Sequence, residues 1–331
     1  MPGLALAAAT AALATAISTL SPLLSAPMVG ILLGIAGATV RAPTERWRPG
    51  LALAGGRGLR VAVVFFGTGL SLGKVARLSS RALPVLILIL LTAAAATWFY
   101  ARLLKVEGNV RTLIGVGSAV CGTSAISAVT PLIAASQAEI ACAVGSILLF
   151  NTAAVVLFPL LGHLLGMSQN AFGLWSGTAI HDTSSVVAAA YGYGHIAGQT
   201  ALVTKLTRTL AIVPICLTLA VHRSPAPADG TTQDTKPTRR RPPLTRLVPL
   251  FLLGFLAAVT INSLGAIPHT WHPALAATAN YLAALALSAI GLSLCPRDIR
   301  AAGARPLLLT ALVWLTIAAL SLLLYPLTHL L

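Results

Sequence analysis

The residues able to do chemistry are concentrated in two short stretches and one helix. Residues 173–208 read GLWSGTAIHDTSSVVAAAYGYGHIAGQTALVTKLTR, which places His181, Asp182, Thr183, Ser184 and Ser185 in one polar knot and then Lys205 and Arg208 three apart. Both stretches are embedded in apolar sequence, where an ionised group near a bilayer centre is disfavoured by roughly 2.5 kcal/mol or more and survives by facing a bundle interior or a water-filled path. A second stretch, GSAVCGTSAI at residues 117–126, echoes GTAIHDTSSV at residues 177–186. Both carry small residues at most positions and a Thr-Ser step after a polar centre.

Two interrupted helices would explain this pattern. Gly117, Gly122 and Gly177 permit breaks, and an unwound backbone is tolerated at membrane depth where protein or water satisfies it. The positive N-terminal ends of the resulting half-helices are natural anion sites. The expected site therefore comprises Cys121, Gly122, Thr123, Ser124, His181, Asp182, Thr183, Ser184, Lys205 and Arg208. Lys205 and Arg208 share one helical face and are expected to lend positive charge to a cavity, with Asp182 as counter-ion in the absence of substrate. His181 titrates near neutral pH in ordinary surroundings, which makes proton coupling chemically feasible. Each feature also has a plainer structural reading: close helix packing by small residues, snorkelling cations, and a hydrogen-bonded His-Asp pair.

Composition sets the class of molecule. The 331 residues are 57% hydrophobic and 9% charged, with a mean hydropathy of +0.89, whereas soluble domains carry about 25% charged residues. A polytopic, all-α membrane protein is expected. The net charge of +15 would point to nucleic acid in a soluble chain, but the Lys and Arg fall in short loops between apolar runs, a pattern of membrane orientation. No folded basic module for nucleic acid is present. Cys121, Cys142, Cys216 and Cys295 lack the spacing of a metal or disulfide framework, and no cofactor is implied.

Roughly 20 helical residues cross the hydrocarbon core. Apolar runs place crossings near 3–20, 26–41, 51–73, 82–101, 111–133, 138–162, 171–191, 197–221, 247–267, 276–296 and 306–328, which gives eleven, or ten on a stricter reading. The first resembles a signal peptide but has no preceding Lys or Arg and reads as a membrane helix. The third contains Gly55, Gly56, Arg57, Gly58 and Arg60, which is unlike a lipid-facing helix. The whole chain, 1–331, reads as one transmembrane domain, and residues 223–246, rich in Pro, Thr and charge, read as a flexible cytoplasmic linker.

With the N-terminus inside, most basic loops are cytoplasmic, and only Lys74, Arg77 and Arg81 dissent. GLSL at residues 69–72 recurs at 291–294, and LLG at 32–34 recurs at 252–254. The paired spans lie seven crossings apart, and an odd offset predicts inverted repeats with substrate and ion sites near the midplane.

Three motifs in order also resemble a known family. GVGSAVCGTSAISAVTPLI at 115–133, GLWSGTAIHDTSSVVAAA at 173–190 and ALVTKLTRTLAIVP at 201–214 are similar to the GxxxCGxSAIxA, IH(E/D) and Pro-terminated KxxR segments of the bacterial YeiH-type family, labelled sulfate exporters. The resemblance runs from about Pro27 to Pro326. It departs after Asp182, where Thr183, Ser184 and Ser185 stand in place of the frequent Val-Ala-Gln. The resemblance implies a cytoplasmic-membrane transporter, distantly similar in fold to bile acid symporters and sodium/proton antiporters with crossed, broken helices.

The reading that unites these features is a secondary transporter of a small anion, exporting sulfate or a related sulfur oxyanion by gradient coupling. No P-loop is present to drive it directly. Its partners would be the anion, a proton or sodium as coupling ion, and the lipid bilayer of the cell membrane, with assembly into a homo-oligomer left open. The alternative is a sodium or proton antiporter centred on His181 and Asp182. A hydrolase using Ser124 or Ser184 is disfavoured, because adjacent His and Asp side chains diverge on a helix and no nucleophile elbow exists.

Overall fold

The computed structural model describes residues 2–20, 25–40, 44–222, 250–293 and 303–324. Every regular element among them is helical. The expected linker at 223–246 lies outside the described residues, as do Leu294 and Cys295.

In chain order the helices are α1 Pro2–Leu20, α2 Ala26–Val40, α3 Arg48–Leu53, α4 Leu59–Gly67, α5 Leu72–Leu104, α6 Gly108–Ala119, α7 Thr123–Ile133 and α8 Gln137–Leu164. There follow α9 Gln169–Ala179, α10 Thr183–Tyr193, α11 His195–Thr209, α12 Ile212–His222, α13 Leu250–Ser263, α14 His272–Ser293 and α15 Ala304–Leu323. A π-helical turn, Ala54–Gly58, joins α3 to α4 without a break in direction. Among the described residues, six continuous helices are long and apolar enough to cross a membrane: α1, the run Arg48–Gly67, α5, α8, α14 and α15.

Helix ends follow local chemistry. Ser71 caps α5 by accepting from the Lys74 amide at 3.3 Å, and α8 opens with a Ser136-Glu139 capping box, in which each residue satisfies a backbone amide of the other. Because α5 begins at Leu72, Lys74, Arg77 and Arg81 are not a loop at all: they occupy the first turns of a 33-residue helix. Lys74 Nζ donates to Gln199 Oε1 at 2.5 Å. The basic segment that disagreed with the topology rule is in part a strut between α5 and α11.

The run expected at 197–221 is divided into α11 and α12 by a turn at Leu210 and Ala211. Pro214 contributes to this, since proline cannot supply a backbone donor to a continuous helix. α9 and α11 lie backbone to backbone: a Cβ on Gly173 or Gly177 would stand 2.6 Å from the Ala197 carbonyl oxygen or 2.8 Å from that of Ala201. This contact sets α11, with its two cations, directly against the C-terminal end of α9. Buried apolar clusters fill the spaces around it. One holds Val63, Phe66, Tyr191, Leu202 and Phe255, and another holds Phe158, Phe172, Trp175 and Trp314. Large apolar side chains such as Leu91, Phe99, Leu160 and Leu164 point outward, as lipid contact requires.

Candidate functional site: two helix breaks joined by one helix

The chain is interrupted where the echoing motifs lie. α6 ends at Ala119 and α7 starts at Thr123; α9 ends at Ala179 and α10 starts at Thr183. The four half-helices have 12, 11, 11 and 11 residues, so each pair in series spans about 33 Å, enough to cross a bilayer core.

A helix end exposes carbonyls with partial negative charge at its C-terminus and amides with partial positive charge at its N-terminus. Two side chains of α11 attend to the C-terminal ends. Arg208 donates from Nε to the Ala119 carbonyl at 2.6 Å, and its two terminal nitrogens donate to the carbonyls of Thr178 and Ser118. Lys205 Nζ donates to the Ile180 carbonyl at 2.7 Å. Both cations are fully buried. One guanidinium thus ties the end of α6 to the end of α9, and its planar fork makes this geometry possible where an ammonium would not.

The N-terminal ends are treated differently. Asp182 caps α10, accepting from the Ser184 amide at 3.0 Å and from the Ser184 hydroxyl. At the matching position of the first break, Gly122 has φ 64 and ψ −127 and offers α7 no side-chain cap. The breaks touch: Thr123 Oγ1 donates to Asp182 Oδ1 at 3.3 Å. Ser124 donates back to Cys121, with its oxygen 3.0 Å from the Cys121 carbonyl and 2.7 Å from Sγ. Asn151, on α8, accepts the His181 and Asp182 amides on Oδ1 at 3.1 and 3.3 Å, leaving neither amide of the second break orphaned.

A cavity of about 570 Å³ opens on these N-terminal ends. Thr123, Ser124, Asp182, Thr183 and Ser184 line one side; Gly55, Gly56, Leu59 and Arg60 of the Arg48–Gly67 run face them. The π turn, whose widened geometry recurs at functional positions, therefore forms part of the wall. The other expected residues lie behind it. Cys121 and His181 are buried, and Gly122 packs against Asp182.

Lys205 and Arg208 do not line the cavity, contrary to expectation. They donate instead to carbonyls on the far side of the breaks, since a bare helix C-terminus presents unpaired acceptors close at hand. Asp182 makes no direct ion pair with either cation, the ion pair found among the described residues being Arg48–Glu45; its charge acts on Lys205 through space. The His181 ring nitrogens have no hydrogen-bond partner among the described residues.

Sequence reasoning missed Arg60 and Asn151 as site residues. Each carried a signal, a cation among glycines in an apolar run and an amide in an apolar helix, but neither belongs to the echo.

Over residues 2–310 the chain matches the profile of the family described as Conserved hypothetical protein 698. It is 36% identical over 326 residues to a UPF0324 membrane protein of Streptococcus pyogenes serotype M18, covering 97% of this chain and 95% of that one. The chain belongs to the UPF0324 membrane protein family. A UPF0324 relative from Clostridium tetani is 31% identical over 311 residues, covering 92% and 90% of the two chains. One from Streptococcus mutans is 34% identical over 309 residues, covering 91% and 89%. No solved structure matches the chain. Matches of this length place both breaks, Arg60, Asn151 and the α11 cations inside the region this UPF0324 protein shares with its relatives.

Proposed function

We propose that the protein is a secondary transporter that carries a small anion, sulfate or a related sulfur oxyanion, across the cytoplasmic membrane. The observation that carries this reading is the polarity of the two breaks. Their negative ends are covered by Lys205 and Arg208, and their positive ends meet at a cavity that Arg60 also lines. The Thr183 hydroxyl on that cavity offers a donor to the acceptor-rich surface of an oxyanion, and those of Thr123, Ser124 and Ser184, which donate to Asp182 and Cys121, would turn from those acceptors to reach it.

Counting each broken pair, and α11 with α12, as one crossing gives eleven among the described residues, which supports reading the chain as a multi-pass membrane protein. Inverted repeats find support in the packing. In one place the LLG helix α2 lies on the GLSL helix α14, with a Cβ on Gly34 standing 2.5 Å from the Ser288 carbonyl oxygen. In the other, α13 with the second LLG lies on α4 before the first GLSL, a Cβ on Gly67 standing 2.8 Å from the Phe255 carbonyl oxygen. Exchange of partners between halves is what a pseudo-two-fold axis produces. The reading involves no covalent step and no cofactor.

One observation favours a second reading. Asp182 brings a carboxylate to the cavity wall, as a sodium or proton antiporter would require. Purified protein in proteoliposomes decides between them. The anion reading expects labelled sulfate, sulfite or thiosulfate flux that falls about tenfold in Arg60→Ala, since a charge-assisted hydrogen bond contributes roughly 1.5–3 kcal/mol. Flux of none of these anions, or flux indifferent to Arg60→Ala, rejects it. Sodium or proton movement that needs no anion and is lost in Asp182→Asn selects the antiporter.

A further inference from the structure

We infer that a groove between α5, α6 and the α11–α12 turn binds an anionic phospholipid, with one acyl chain along the groove and the headgroup on Arg102 and Arg111. The groove has a volume of about 440 Å³ and is separate from the cavity at the breaks. Its α5 wall is Leu90, Leu91, Ala94, Thr97 and Trp98, and its α6 wall is Arg111, Thr112, Gly115, Val116 and Ala119. Each wall is a single helical face, since residues three and four apart are neighbours. Ala94, Gly115 and Ala119 hollow it out, while the Leu and Val side chains keep it apolar.

The two ends differ. At the α5–α6 turn, the Arg102 guanidinium lies 5.0 Å from the centre of the Trp98 ring, and Arg102, Lys105, Arg111 and Trp98 are all exposed. None of these cations makes an ion pair among the described residues. The neighbouring acids are Glu107, in the same turn, and Glu139. The Glu139 carboxylate is occupied by the Ser136 amide and hydroxyl and by Asn109. Three cations against these two acids leave a cationic surplus at this end, beside a tryptophan of the kind that marks headgroup depth.

The distance fits a single leaflet. From Leu90 to Arg102 the helix advances about 18 Å, and half of a hydrocarbon core is about 15 Å. The deep end of the groove touches Ala119 and Ala211, and the Ala119 carbonyl is the acceptor of Arg208 Nε. A bound acyl chain would thus lie against the back of the first break.

Full-length protein in a neutral detergent, titrated with phosphatidylglycerol, phosphatidylcholine or inorganic phosphate and followed by native mass spectrometry, tests this. Phosphatidylglycerol is expected to bind more tightly than phosphatidylcholine, and Arg102→Ala and Arg111→Ala are each expected to weaken it about fivefold. Ala94→Phe fills the groove and lowers the binding of both lipids; Arg77→Ala, at the opposite end of α5, changes neither. Equal affinity for the two lipids overturns the inference, as does Arg111→Ala binding like the parent protein. Inorganic phosphate occupying the site as well as phosphatidylglycerol would show a charge site without a chain groove, and self-association abolished by Ala94→Phe would assign the groove to a second copy; both outcomes also overturn it. Should Ala94→Phe fail to fold, the two exposed arginine positions carry the test alone.

Discussion

The two breaks have one plan and opposite means. Gly117 and Gly177 stand at equivalent places, as do Thr123 and Thr183, and three residues separate the half-helices in each case. The first break turns by backbone conformation: only glycine adopts φ 64 with ψ −127 readily. The second stays in ordinary extended backbone, Ile180 at φ −82 and Asp182 at φ −99, and is held by side chains, with Asn151 accepting its amides and Asp182 capping α10. The difference shows how two echoing motifs divide labour. One copy leaves its positive end without a side-chain cap, and the other brings a carboxylate to the same cavity.

The largest effect should come from the group the breaks share. Arg208→Ala leaves the carbonyls of Ser118, Ala119 and Thr178 without their donor. Each unsatisfied buried group costs roughly 1–3 kcal/mol, so a loss of at least about 3 kcal/mol is expected in denaturant unfolding in detergent. Arg208→Lys should recover little of it, because one ammonium cannot serve both helix ends. An Arg208→Lys variant as stable as the parent protein would dissolve the idea of a shared clamp.

Next come substitutions that separate the breaks. Gly122→Ala should cost about 1–3 kcal/mol through backbone strain, whereas the reciprocal change Asp182→Gly keeps a tolerated cap residue and should cost only a few tenths to about 1 kcal/mol. Unfolding midpoints of the two variants make the comparison. If they are equal, the distinction between backbone and side-chain support fails. Asn151→Leu should cost at least about 2 kcal/mol by orphaning the His181 and Asp182 amides, each worth roughly 1–3 kcal/mol, with hydrogen exchange accelerating at those two residues and not at the first break.

The smallest structural effect belongs to Gly56→Leu. No atom lies within 4 Å of a Cβ placed there, so stability should shift by less than about 0.5 kcal/mol. The side chain would enter the cavity, so transport should fall sharply while folding is kept. Unchanged flux in this variant would separate the cavity from the path.

Much of this was legible from residue types. The echo coincides with both breaks, and Lys205 and Arg208, singled out on one helical face, are both buried beside them. Their targets were not legible, because backbone carbonyls freed by a break leave no trace in sequence. Asn151 and Arg60 lie 30 and more than 100 residues from the second break, and only the packing of α8 and of the π turn brings them there. The basic residues at 74, 77 and 81 were misread for a local reason: the Ser71 cap starts α5 before its apolar portion.

Arg208 also sets an order on biogenesis. Its bond to Ser118 joins residues 90 positions apart, so at ordinary synthesis speeds of about 5–20 residues per second the first break waits roughly 5–20 seconds for its donor. During that interval the nascent segment has bare carbonyls at membrane depth, which gives the insertion machinery or a bound water reason to linger there until the later helix arrives.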